Sequence, residues 1–199
     1  MAGAFPISTA KFQSLGIKSI QNTIISKTVS GKKLARQIDG QRWSFTARVI
    51  TAKRSDVYGE LMAFIIKQRS GKENFTIVPP EVEDARGTAS GTPNGTASAG
   101  ATSITLGGSG TGTLKAGDFI KFANHDKVYM VVADQSDIST GSLTIEPPLT
   151  TAVSSSDITY DNVPFTVYLT NDIQEFGVVG ADKDGNALYQ FEFDVEESL

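Results

Sequence analysis

Residues able to do chemistry are few in this 199-residue chain, and they do not converge. The one histidine, His125, lies between Asn124 and Asp126 in a polar stretch. A general base or a metal ligand needs partners of defined geometry. With no cysteine and no second histidine, a metal site would rest on carboxylates alone. His125 therefore reads as a surface-loop residue. Gly107-Gly108-Ser109-Gly110-Thr111-Gly112 has the glycines of a phosphate loop but not its lysine. A P-loop needs Gly-Lys-Ser/Thr opening a helix, whereas here Thr113-Leu114-Lys115 leads into a strand, so a linker is the better reading. Ser109 also misses the Gly-x-Ser-x-Gly spacing of a nucleophile elbow. Asp182, Asp184 and Asn186 alternate like calcium ligands, but no Glu stands at the twelfth position and no helix flanks them, so a hairpin turn is expected. The expectation is a protein with no catalytic residues, no cofactor and no metal site.

One concentration of charge remains. Lys27, Lys32, Lys33, Arg36, Arg42 and Arg48 crowd one early segment. They read either as a solvated hairpin face or as a contact surface for an acidic neighbouring subunit or a phosphate; exposed charges usually do nothing specific. The net charge of −4 gives no global reason to expect specific nucleic-acid binding. No apolar run is long enough to span a bilayer, so no membrane is expected. The absence of cysteine agrees with folding in a reducing compartment, and Met1-Ala2-Gly3-Ala4-Phe5-Pro6 lacks the pattern of a signal peptide.

Three regions position these residues. In the first, Ile20–Val29 and Lys33–Ile38 read as strands around a turn at Ser30-Gly31-Lys32, and Asp39-Gly40 is a strong hairpin signal. The next strand alternates, with Trp43, Phe45, Ala47 and Val49 on one face and Arg42, Ser44, Thr46 and Arg48 on the other. Ser55 is the expected helix N-cap, Val57, Leu61, Phe64 and Ile65 follow at helical spacing, and Gly71 is the expected stop. Phe75–Val78 closes the region before Pro79-Pro80. The second region opens with Glu81-Val82-Glu83-Asp84 and a run of Gly, Ala, Ser and Thr from Gly87 to Gly100, expected to be a flexible loop or a poorly ordered strand pair. Five short strands then suggest a small barrel, with Ile104, Leu106, Ile120, Phe122, Val128, Met130, Val132, Leu143 and Ile145 as its core. In the third, Val163, Phe165, Val167 and Leu169 alternate, as do Ala187, Tyr189, Phe191, Phe193 and Val195 beyond a turn at Asp184-Gly185-Asn186. A lone hairpin of such strands is marginal in water. Its apolar face needs the strands of the first region. The fold class expected is mainly β: a sandwich with one α-helix from residues 1–80 and 163–199, and a small β-barrel inserted at 81–162.

The segment Leu114-Lys115-Ala116-Gly117-Asp118-Phe119-Ile120-Lys121-Phe122 followed by Lys127-Val128-Tyr129, the strand Thr144-Ile145-Glu146-Pro147-Pro148-Leu149, and the order of elements resemble the distal tail proteins of siphophages, in the short form with one inserted domain. That resemblance implies a tail-tube-like sandwich, an OB-like inserted barrel, and a structural, non-enzymatic role in the virion. Such proteins form a ring, usually a hexamer, at the host-facing end of the tail, joining the tail tube protein to the hub and adsorption proteins after assembly in the host cytoplasm. In some the barrel is thought to touch host saccharides; here Phe119, Phe122 and Tyr129 read equally well as core. The expected ring interface is Lys27, Lys32, Lys33, Arg36 and Arg42. The alternatives are a carbohydrate-binding module contacting the host surface, or a tail tube or tail terminator subunit.

Overall fold

The computed structural model describes residues 3–6, 12–37 and 40–199. Among them the chain forms β1 (Phe12–Ile20), β2 (Thr23–Lys27), β3 (Lys33–Gln37), β4 (Arg42–Val49), β5 (Ala52–Lys53), α1 (Gly59–Lys67) and β6 (Phe75–Ile77). There follow β7 (Pro93–Ala97), β8 (Ser103–Gly108), β9 (Phe119–Phe122), β10 (Val128–Val131), β11 (Ser142–Glu146) and β12 (Val153–Thr159), then β13 (Phe165–Leu169), β14 (Gly177–Ala181), β15 (Ala187–Gln190) and β16 (Glu192–Glu197).

The largest sheet has the order β1-β4-β16-β13-β6. It draws β1, β4 and β6 from the start of the chain and β13 and β16 from its end. The alternation of β4 explains why. Trp43, Phe45, Ala47 and Val49 are buried, and they meet Phe165, Val167, Phe193 and Val195 in one core. On the outer face the same register sets opposite charges side by side. Arg42 meets Glu196 at 3.1 Å, Thr46 donates to Asp194 at 2.7 Å, and Arg48 meets Glu192 at 2.6 Å. Such exposed cross-strand pairs are worth up to about 1 kcal/mol each. Leu61 and Ile65 of α1 and Tyr58 just before it cover the inner face, with Tyr58 stacked on Tyr189 at 5.2 Å. A smaller sheet, β14-β15-β5, lies beside them, and β2 and β3 form a separate hairpin.

Several expectations about this region need correction. Ile20–Val29 is not one strand: β1 ends at Ile20 and β2 begins at Thr23, and β1 itself was not anticipated. Ser55 is not the N-cap. The helical run begins as a π-helical turn over Arg54–Tyr58, its cap position is the extended Lys53, and no side chain caps it. Lys53 is held there by an ion pair with Asp182 and by β5 pairing with β15. Nor does Gly71 take the left-handed position after α1, which Arg69 and Ser70 occupy at φ 53 and 59. Gly71 answers instead to close approach, since a Cβ would lie 2.6 Å from the Leu169 carbonyl oxygen. The strand expected through Ala187–Val195 divides at Phe191 between the two sheets. Ile38 and Asp39, and with Asp39 the expected hairpin turn, lie outside the described residues.

The middle of the chain closes into an antiparallel barrel of order β10-β11-β8-β7-β12-β9. It has six strands where five were expected. The sixth, β12, hides its period: only Val153 and Ile158 of it are buried, five residues apart, because the register shifts between Val153 and Ser156. The Gly/Ala/Ser/Thr run is not a flexible loop, since it contains β7, paired with β8 and β12. Small residues are required there. A Cβ on Gly95 would lie 2.7 Å from Ile104 and 2.8 Å from Phe122. The glycine run at Gly107 is likewise no linker, for Gly107 and Gly108 pair with Asn94 and Pro93. The phase expected of β10 is also corrected. Tyr129 and Val131 face the barrel core, Val128 is buried in the sandwich core with Met130 packed against it, and Val132 is exposed.

Overpacking a close-packed core costs about 1–3 kcal/mol. Gly95→Ala should therefore destabilise the protein by about that much in urea unfolding. Gly180→Ala, on β14 with nothing near its Cβ position, should change stability by less than about 0.5 kcal/mol.

Candidate functional site

The Leu114–Asp118 turn that leads into β9 is a clamp rather than a reactive site. Gly117 sits at φ +97, and the Arg86 guanidinium lies where its Cβ would be. The nearly buried Asp118 carboxylate accepts from the Lys115 amide at 2.7 Å and from Arg86, through its amide and Nε, at 3.1 Å each. Arg86 also donates to the Ala116 carbonyl. The motif thus ties the incoming chain to the barrel wall.

The second feature joins barrel to sandwich. Lys127, in the loop before β10, and Glu197, at the end of β16, are both buried and form an ion pair. Lys127 also donates to Gln41 Oε1 at 2.8 Å, and Gln41 in turn donates to the Ser19 hydroxyl at 3.0 Å. The Glu197 carboxylate accepts from the Val128 amide at 2.8 Å and the Trp43 amide at 3.2 Å. The Trp43 indole N–H donates to the Val128 carbonyl at 2.9 Å, and its ring meets Phe119 edge to face at 5.1 Å. Burial pushes the Glu197 carboxyl up and the Lys127 ammonium down, against the attraction between them. Beside this network a cleft of about 460 Å³ opens between Ile17, Trp43, Phe119, Met130 and Glu146. Of the rings considered for saccharide contact, Phe122 and Tyr129 are fully buried and Phe119 packs into this seam.

His125 is more enclosed than a plain surface loop would make it. Its Nε2 lies 2.8 Å from the Tyr129 hydroxyl and its Nδ1 2.9 Å from Asn124 Oδ1. Burial first, then the Lys121 charge, hold its pKa below the usual value. Tyr129 also meets the Thr150 hydroxyl at 3.0 Å, so the histidine completes a polar network that closes the barrel end. Asp182 accepts from the amides of Asp184 and Asn186 at 2.8 Å each, as a turn would have it. Among the described residues no group of three or more metal-ligating side chains gathers.

The basic residues divide. Lys27 and Lys33 face each other across the β2–β3 ladder, Arg36 pairs with Ile24, and Lys32 precedes β3. Every residue of both strands is exposed. Arg42 stands apart on β4, beside Glu196. Sequence reasoning gave Lys127, Glu197 and Gln41 no buried role, because isolated polar residues at element ends carry no periodic signal of burial.

A mainly β chain with one α-helix, a closed six-stranded barrel in its middle, and polar groups spent on holding parts together is consistent with a structural role. The comparisons agree: the family model described as distal tail protein pb9, B domain, matches residues 83–163, the span of the barrel. The barrel is thus similar to the B domain of a phage distal tail protein, and the match does not extend to the strands on either side of it. No curated protein matches the chain. No helix among the described residues is long and apolar enough to cross a membrane.

Removing one partner of a buried ion pair leaves an uncompensated charge and costs about 3–5 kcal/mol. Lys127→Met should lose about that much stability in urea unfolding. Lys127→Met combined with Glu197→Gln should recover part of the loss, since the charge is gone and an amide oxygen still accepts. The single histidine gives one imidazole signal, whose NMR titration should have its midpoint below the ordinary value of about 6.5. A histidine with a depressed folded pKa contributes stability that is full above the unfolded value and is lost as pH falls through the folded one. His125→Gln should therefore flatten the stability profile below about pH 6.5.

Proposed function

We propose that the protein forms the ring at the distal end of a siphophage tail, a homo-oligomer of six copies that continues the tail tube and joins it to the hub and adsorption proteins. Residues 1–80 and 163–199 build the ring as one discontinuous sandwich, and residues 81–162 are inserted as an outward barrel. The observation that supports this most directly is the provenance of the five-stranded sheet: its strands come from both ends of the chain and flank the segment that matches a distal tail B domain. The role is architectural rather than catalytic. The subunit contact is the basic hairpin, with Lys27, Lys32, Lys33 and Arg36 directed at an acidic neighbour. Assembly takes place in the host cytoplasm, before the tail is complete.

Electron microscopy of the purified protein should show six-fold rings. Reversing Lys32, Lys33 and Arg36 to Glu should abolish them while the thermal transition of the subunit stays unchanged. Rings of normal appearance from that variant would remove the hairpin from the contact.

A further inference from the structure

Among the strand edges that lack a partner in the described residues, two have opposite charge surroundings. The first belongs to the β2–β3 hairpin, which pairs with no other strand among the described residues. A two-stranded hairpin is marginal in water. This one also sets Lys27 directly across from Lys33, an arrangement that disfavours it, with Lys32 adjoining. Ile24, Ile25 and Leu34 are 55%, 57% and 50% exposed. Thr23–Gln37 holds four cations and no carboxylate, in a chain of 18 cations and 22 acids, so the remainder carries 14 against 22. None of the four is ion-paired among the described residues. Among the described residues the hairpin therefore has neither a covering strand nor a counter-charge.

The second edge is β14, the outer strand of β14-β15-β5. Its sequence, Gly177-Val178-Val179-Gly180-Ala181, has none of the lysines or prolines that commonly protect an edge from strand addition. Val178 and Val179 are more than half exposed. Just before it stand Asp172 and Glu175, both exposed and neither ion-paired among the described residues.

We propose that the β2–β3 hairpin of one copy adds as a strand pair to the β14 edge of the next copy, its lysines reaching Asp172 and Glu175. This rests on the ring reading and names the receiving face. Main-chain hydrogen bonds along the edge supply the affinity, and alternate side chains supply the specificity. The contact joins two different patches, so it repeats head to tail and can close into a ring. Like-with-like contacts are disfavoured: hairpin against hairpin would set lysines on lysines, and β14 against β14 would set carboxylates on carboxylates.

The chain has no cysteine, so engineered pairs report without background. Ile25→Cys with Val178→Cys, and Leu34→Cys with Val179→Cys, should give a ladder of disulfide-linked multimers on mild oxidation, and no single variant should give more than a dimer. Asp172→Lys with Glu175→Lys should weaken assembly at least tenfold by native mass spectrometry. Adding Lys32→Glu and Lys33→Glu to that variant should restore assembly. Rings from the wild-type protein with no ladder from either pair, and no effect of Asp172→Lys with Glu175→Lys, would place the receiving face elsewhere and overturn the inference while leaving the ring intact. A wild-type protein that stays monomeric both in solution and on isolated tails would overturn the ring as well.

Discussion

The arrangement of the two parts depends on one buried carboxylate. Glu197 lies at the end of β16 with no access to water, and everything it accepts from belongs to β4 or to the edge of the barrel: the Trp43 amide, the Val128 amide and the Lys127 ammonium. Apolar surfaces can meet in many relative orientations at similar free energy. An ammonium and a carboxylate taken out of water have one acceptable arrangement, because any other leaves charge unpaired at a cost of several kcal/mol, on the order of the whole stability of a domain. The ion pair therefore does less to hold the barrel on than to decide how it sits. Adhesion comes from the apolar contacts around it, where Phe119 meets Trp43 and Phe165, and Val128 joins the sandwich core.

That geometry explains which parts of the fold were legible. Trp43 to Val49, Val163 to Leu169 and the hairpin turn at Asp184-Gly185-Asn186 were readable because each obeys one local rule: alternation against a single core, or turn chemistry. β10 obeys the same period yet was assigned the wrong phase. Its residues are buried on both faces, so alternation of apolar side chains cannot tell which set faces the barrel. Lys127 adjoins it, and a lysine in a polar stretch is ordinarily exposed. Only its distant partner at position 197, brought close by the pairing of β16 with β4, reverses that expectation.

The Gly/Ala/Ser/Thr run was misread for a different reason. A segment of small residues lacks the apolar area to form a core of its own, but it can line a core that others fill. At Gly95 the space a side chain would take is already held by Ile104 and Phe122. The information lies in the partners and not in the glycine. The helix start failed similarly. Ser55 has the right type for a cap, but β5 and the Lys53–Asp182 ion pair fix the chain before it reaches a cap geometry, and a π-helical turn absorbs the difference.

The segment that carried the family resemblance makes sense in the same terms. Ala116-Gly117-Asp118 marks no reactive centre. Gly117 leaves room for Arg86, and Asp118 gathers Arg86 and the Lys115 amide, so the chain's arrival from the sandwich is tied to the barrel wall. Lys127 and Glu197 in turn tie the barrel to the sandwich. The charges then divide simply: Arg42, Arg48 and Lys127 are spent within the chain, on Glu196, Glu192 and Glu197, while the residues of the β2–β3 hairpin strands are all exposed.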